Sequence, residues 1–416
     1  MKRILLVLFS TALFIHSNAQ EDVKVAEKQK AIESSNKVVE NKFNNGVVKP
    51  GTNPKTANNN PASLQSLFKL EKNNAATSVK NQAMTGTCWC FSSTSLVESQ
   101  CLNKNIGEFD ISEMYTVRNI YLEKANNYIL RQGHAQFGEG GLGHDLIRAI
   151  ATYGAIPEND YNGLKGDQKM HNHVKLSGDL KSYLDSILKI NPLPTGWMKG
   201  YRHLLDSALG APPADFQFGN KKYTPKSFAA EVLKFNADEY VNITSFTHHP
   251  YYEPFILEVP DNFSNGAYYN LPLDEMIQLT KDAILKGYTV LWDADVSNTG
   301  FIQGRGIAVQ TDTGYKIKGK TELLSGNLEE VKWDAGLRQK LFENLTTQDD
   351  HLMHITGLER SSTGKPFFLV KNSWGDIGPE HGYINVSEAY FAINTISLII
   401  PKAAVNKTLL DKLKIK

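Results

Sequence analysis

The chain has 416 residues, 41% of them hydrophobic and 21% charged, with a formal net charge of +1. That length holds one large elaborated domain or two to three small ones, with enough apolar content for a sizeable core. The balanced charge, with no basic block and no aromatic-basic stripe, gives no support to nucleic-acid binding.

The first residues read as an export signal. Lys2-Arg3 precede a nearly continuous apolar run, Ile4 to Ile15, and Ser17-Asn18-Ala19 supply small residues for cleavage before Gln20. The run is too short for a bilayer span. We therefore expect residues 1–19 to be a signal peptide, the mature protein to be periplasmic or extracellular, and no stable membrane anchor. Residues 20–60 are polar, rich in Lys, Glu and Asn, and run out into Ala57-Asn-Asn-Asn-Pro61. They read as a flexible linker or a short pro-like segment.

Globular composition follows. Spacing predicts a helix over Cys88–Asn103, a second around Ile111–Asn126, and a third over His144–Tyr153, stopped by Gly154 and Pro157. Between the second and third lies the glycine cluster Phe137-Gly-Glu-Gly-Gly-Leu-Gly143. Residues 61–164 form this helical part. Residues 165–270 read as a helical insertion, with runs Leu180–Leu188, Arg202–Leu209 and Pro225–Phe235 broken by Ala211-Pro-Pro213. Residues 271–396 open with a helix over Leu273–Lys286. Strands are then predicted at Tyr288–Trp292, Gly306–Gln310, Met353–Leu358, Pro366–Lys371 and Gly382–Val386. Residues 397–416 remain as a tail. Helices first and strands last argue for an α+β fold with the two parts side by side.

The cysteines are Cys88, Cys90 and Cys101. On one helix the last two stand about 16 Å apart along its axis, against the roughly 7 Å limit for bridged Cα atoms. That argues against a disulfide framework, and Cys90 and Cys101 are expected as small buried side chains.

Cys88 is different. It opens a helix, where a thiolate is favoured, and so is a candidate nucleophile. Asp350-His351-Leu-Met-His354 offers two candidate bases at the start of a strand. We prefer His351, at the strand's beginning and near a cleft edge. His354 falls on the opposite face by strand alternation and is expected to be packed or a surface residue. Asn372, in Asn372-Ser-Trp-Gly375, can hold the second ring nitrogen without adding charge, with Trp374 shielding that bond. Gln82 and the Cys88 backbone N–H can both face a developing oxyanion. This chemistry needs no metal or organic cofactor. The pairs His171/His173 and His248-His249 lack a companion cluster of ligands, and no metal site is expected there.

Gln82, Cys88-Trp89, His351 and Asn372-Ser-Trp-Gly375, in that order, resemble the papain superfamily of cysteine peptidases. The resemblance covers roughly residues 62–410. It implies a papain-like fold: a helical left part carrying the Cys helix, a β-barrel-like right part carrying His and Asn, and here a helical insertion. It also implies a substrate-binding role for Gly140 and Gly141, the glycine pair whose backbone pairs with extended substrate, beside Trp374. Leu209 to Phe216, Tyr223 to Phe228, His248-His-Pro250, Asp293-Ala-Asp295-Val and His351-Leu-Met-x-x-Thr-Gly are similar to the bleomycin hydrolase and aminopeptidase C branch. That branch implies aminopeptidase action on peptides and a homo-hexamer. Thr85 stands where secreted papain-like enzymes carry a disulfide cysteine. Members of the branch are mostly cytoplasmic, and their C-terminal arm places its carboxylate in the cleft. Here Ile399-Ile-Pro401 to Leu410 resembles the start of such an arm, but Lys416 follows soon after. Three other readings stay open: an endopeptidase with an open cleft, a non-catalytic binding protein on this fold, and a Cys-His acyltransferase or amidase.

Overall fold

The computed structural model describes residues 68–311 and 328–416. The chain divides into residues 1–61 and a unit of residues 62–416. The expected signal peptide and the linker of residues 20–60 lie outside the described residues. Among the described residues, no helix is long and apolar enough to cross a membrane.

The helices are α1 (Cys88–Asn103), α2 (Glu113–Leu130), α3 (Gly143–Tyr153), α4 (Val174–Leu188), α5 (Trp197–Leu209), α6 (Leu273–Leu285), α7 (Ala335–Glu343), α8 (Glu388–Asn394) and α9 (Lys407–Lys412). The strands are β1 (Phe68–Asn73), β2 (Phe216–Phe218), β3 (Lys221–Tyr223), β4 (Tyr240–Thr244), β5 (Pro254–Ile256), β6 (Ala267–Asn270), β7 (Val290–Ala294), β8 (Phe301–Ile302), β9 (Ile307–Ala308), β10 (His351–Ser361), β11 (Pro366–Lys371), β12 (Tyr383–Ser387) and β13 (Thr395–Pro401). Apart from the β2–β3 hairpin, they form one mixed sheet in the order β5-β6-β4-β13-β7-β10-β11-β12-β9-β8, with β1 also on β10. Among the described residues the sheet does not close on itself, its main path ending at β5 and β8, so the right part is not the barrel expected from the resemblance, while the class is α+β as expected.

Alternation of side chains sorts the two cores. Leu291, Leu352 and Ile399 face the helical layer of α1, α2 and α3. Val290, Trp292, Met353 and Leu398 face the other side, with Met276, Ile277 and Ile284 of α6. Close approach of the helical layer depends on Gly143, at the start of α3. A Cβ there would lie 2.1 Å from Leu291 Cδ2 and 2.7 Å from Ile399 Cδ1.

Helix α1 carries no polar face. Every residue from Cys88 to Cys101 is buried, as expected for a helix enclosed all round. Its polar side chains therefore bond across to the sheet and the loops. Ser92 Oγ donates to the Leu352 carbonyl at 2.6 Å, and Ser95 Oγ meets His354 Nδ1 at 2.9 Å. Helix α3 ends at Gly154, whose φ of +85° and nearness to Pro225 admit no side chain. The expected helix over Pro225–Phe235 is one α-turn, Pro225–Ser227, running into a wider π-type turn, Phe228–Val232.

Residues 397–401 are not the start of an arm. They belong to β13, fully buried between β4 and β7. Thr395 lies opposite Ala294, which lies opposite His351. Pro401 is six residues further along, about 20 Å away at strand rise. The chain then turns through Lys402–Ala404 into α9, where Leu409 and Leu413 join the second core. Lys412 Nζ sits 3.3 Å from the Tyr252 ring centroid, and Lys414 pairs with Glu253 at 3.2 Å. The C-terminal segment thus packs along α6 toward the β5 edge of the sheet, with Lys402 Nζ bound to the Lys416 carbonyl.

Candidate active site

The loop before α1 is tied together by short polar links. Thr85 Oγ1 donates to the Gln82 carbonyl at 2.8 Å and lies 2.6 Å from Thr87 Oγ1. Glu139 anchors the loop from outside. Its Oε2 accepts from the Gly86 N–H at 2.7 Å, and its carbonyl accepts from Trp89 Nε1 at 3.0 Å. The three cysteines are free and buried. Hydrogen bonds through Thr85 and Glu139, and no disulfide among these cysteines, therefore hold the segment.

Cys88 is the first residue of α1, only 8% exposed. Burial pushes its thiol up to about 12, opposed by a hydrogen bond from the Leu352 backbone, while Asp261, Asp293 and Asp349 push it further up. That backbone contact sets the sulfur against the strand residue that follows His351.

His351 opens β10, and its Nε2 bonds Asn372 Oδ1 at 2.7 Å. Asn372 comes directly after β11, and a chain of bonds sets its orientation. Gln303 Nε2 donates to the Tyr383 carbonyl at 3.2 Å, so Gln303 Oε1 is free to accept from Asn372 Nδ2 at 2.9 Å. Asn372 Oδ1 then faces the imidazole, which leaves Nδ1 as the basic nitrogen. Trp374 lies over the pair, its ring centroid 4.7 Å from that of His351 at a tilt of 34°. Burial holds His351 down at about 4, opposed by the Asn372 bond. With the thiol raised and the imidazole lowered, both groups rest neutral at pH 7.

Gln82 is buried on the other side of the thiol-bearing loop. Ser373 Oγ donates to its Oε1 at 2.6 Å, and its Nε2 donates to the Thr85 carbonyl at 2.8 Å. An amide nitrogen carries two hydrogens, so one remains. His354 is packed on the helix-facing side of β10, against Ser95, and burial beside Lys371 holds it neutral. Behind the site lies a buried charged group. Glu98 accepts from Thr77 Oγ1 at 2.6 Å and from the Ile111 N–H at 2.8 Å, with Lys80 at 3.6 Å.

Gly140 and Gly141 are both enclosed. A Cβ at Gly141 would lie 3.1 Å from the Trp89 ring, and one at Gly140 would lie 1.9 Å from Asp261 Oδ2. Lys124 Nζ donates to the Gly140 carbonyl. Glu139, Gln303 and Ser373 position these groups and were not singled out in the sequence. Ser373 at least stands inside the Asn-Ser-Trp-Gly motif. Gln303 and Glu139 carry no sequence signal, because their partners lie 69 or more and 50 or more residues away respectively. The structure also supplies a companion for His248 and His249 that sequence spacing did not show. Ligand atoms of His248, His249 and Glu258 lie within 4.8 Å of one another. Gln339 Nε2 donates to His248 Nδ1, so His248 Nε2–H points at Glu258 as a hydrogen-bond donor.

Residues 195–416 match the Peptidase C1-like family, and residues 65–176 match the papain family of cysteine proteases. Aminopeptidase C of Listeria monocytogenes is 25% identical, over 89% of this chain and 90% of its own. Aminopeptidase W of Lactobacillus delbrueckii is 24% identical, over 85% and 88%. The crystal structure of PepW from Lactobacillus rhamnosis HN001 superposes with a TM-score of 0.66, at 21% identity over 83% of this chain and 84% of that one. With a matched segment that carries β4 to β13 and therefore both His351 and Asn372, the chain belongs to the Peptidase C1-like family and is a cysteine peptidase of papain-like fold.

Proposed function

We propose that this cysteine peptidase is an aminopeptidase in which Cys88 is the nucleophile, His351 the base, Asn372 its orienting partner and Gln82 an oxyanion donor. The observation that carries the assignment is the His351–Asn372 bond beneath Trp374, with the Leu352 backbone against the Cys88 sulfur. Cys88 gives its proton to His351 Nδ1, and the thiolate attacks the scissile carbonyl. The oxyanion meets the Cys88 N–H and the free N–H of Gln82. His351 returns the proton to the leaving amine, and water hydrolyses the thioester. Removal of one oxyanion donor costs roughly 10²- to 10³-fold in kcat. Gln82→Ala is expected to fall in that range with KM little changed. A kcat within about threefold of the parent, set against that same loss, removes Gln82 from the mechanism.

Likeness to aminopeptidases C and W over most of both chains supports action at a peptide's free amino end. The seat of the C-terminal segment favours a second reading, an endopeptidase with an open cleft, because no carboxylate from residues 402–416 stands near Cys88. Leucyl-leucyl-aminomethylcoumarin and its N-acetyl form separate the two. An aminopeptidase releases leucine from the first and leaves the second intact. Equal cleavage of both establishes the endopeptidase. The apolar run Ile4–Ile15 supports export as part of this reading.

A further inference from the structure

Three carboxyl groups lie beside the nucleophile and take no part in the Cys-His-Asn arrangement. Asp293 stands on β7 opposite Leu352 of β10 and is 1% exposed. Its Oδ2 accepts from Ser397 Oγ at 3.0 Å, and its Oδ1 receives no hydrogen bond from the protein. Asp349 is half-buried two residues before His351, and its Oδ2 also lacks a donor. The two carboxyls face each other at hydrogen-bonding range. Two acceptors cannot bond directly, so only a proton or another cation can join them. Burial and the charge of Asp349 hold Asp293 well above the usual carboxylate range, and burial and the charge of Asp261 push Asp349 up to about 7, opposed by its bond with Asp293.

Asp261 closes the third side. Its backbone bonds Asp349, and its Oδ1 accepts from Gln136 Nε2 at 2.9 Å. It reaches this place because Gly140 has no side chain in the way. The neighbouring charges can be counted. Lys124, bound to the carbonyls of Gly138 and Gly140, opposes Asp261. Asp145 lies further off and is occupied by the Leu142 N–H, Ser264 and Arg148. The other titratable groups facing the cluster are Cys88, Tyr268 and Asp350, none of them cationic. With Lys124 against Asp261 and one proton between Asp293 and Asp349, one negative charge is left over.

We propose that Asp293, Asp349 and Asp261 form a subsite for one organic cation of the peptide substrate, an ammonium or guanidinium that displaces the shared proton. The proposal rests on the reading of Cys88 as the nucleophile. A bound N-terminal ammonium here fixes how much chain lies between the amino end and the thiol. The C-terminal segment, packed at the β5 edge with its Lys416 carbonyl on Lys402, does not supply that anchor. A lysine or arginine side chain in the same place gives a preference for basic residues instead.

Calorimetry with the Cys88→Ala protein reads the subsite without turnover. Leucyl-leucinamide carries a free amine, N-acetyl-arginyl-leucinamide only a side-chain cation, and N-acetyl-leucyl-leucinamide no charge. At least one cationic peptide is expected to bind about 10- to 100-fold tighter than the neutral one, the worth of a charge-assisted hydrogen bond. Adding Asp293→Asn should abolish that difference and leave the neutral peptide unchanged. Asp349→Asn, at the more open position, gives the same reading should Asp293→Asn fail to fold. Equal binding of all three peptides, or an equal loss for all three in the Asp variants, overturns the subsite. Preference for the acetylated arginine peptide supports the subsite and overturns the aminopeptidase reading. Preference for the free amine supports both. Hydrolysis by the unsubstituted enzyme separately tests the role of Cys88.

Discussion

Cys88→Ala is expected to lower peptide hydrolysis by at least about 10⁴-fold, the scale on which a covalent nucleophile removed from a triad-type site is felt. Alanine at the first position of α1 leaves the helix and its backbone N–H in place. On the proposed mechanism, His351 then has no sulfur to deprotonate, and water must attack directly. The fold should be nearly untouched, because a single buried sulfur is lost and its hydrogen bond from Leu352 is weak. A stability change within about 1 kcal/mol is expected. Initial rates with leucyl-aminomethylcoumarin, alongside thermal unfolding, check both halves. Turnover unchanged in a folded variant removes Cys88 from the chemistry.

Glu98→Ala is expected to have the largest effect on stability among the polar residues of α1. Glu98 is 1% exposed and holds Thr77 Oγ1, the Ile111 N–H and Lys80 around one carboxylate. Its removal leaves Thr77 Oγ1 and the buried Ile111 N–H without this acceptor, at about 1–3 kcal/mol each, while Lys80 keeps Asp110 at 2.6 Å and Glu113 at 2.8 Å. The loss should extend to activity, since Thr77 and Lys80 belong to the segment that carries Gln82. Urea denaturation should show a lower midpoint at an unchanged slope, with kcat reduced below the fraction unfolded. A midpoint within error of the parent shows that this group contributes no net stability.

Local order was legible where one segment carries its own signal. Helix α1 runs over Cys88–Asn103 and β11 over Pro366–Lys371, as spacing implied. The candidate nucleophile, base and orienting amide stand in the order expected of the resemblance, and His351 and His354 lie on opposite faces of β10. The misread segments have physical reasons. Thr395-Ile-Ser-Leu-Ile-Ile-Pro401 is apolar on both faces, as a central strand must be, yet its resemblance to the start of an arm suggested a tail. Pro225–Phe235 has helical spacing, but packing of Phe228 against Phe216, Phe218 and Tyr223 accompanies a wider turn.

By itself, the sequence determined which side chains are available for thiol chemistry and on which short elements they sit, because helix starts, strand alternation and the Asn-Ser-Trp-Gly run act over a few residues. Only the tertiary structure decided how those side chains are held. Gln303 aligning Asn372, Ser373 aligning Gln82, and Asp261 seated on Gly140 each join segments 69 or more residues apart. Their geometry depends on how strands and helices pack, and a buried donor or acceptor finds its partner wherever that packing brings one within reach.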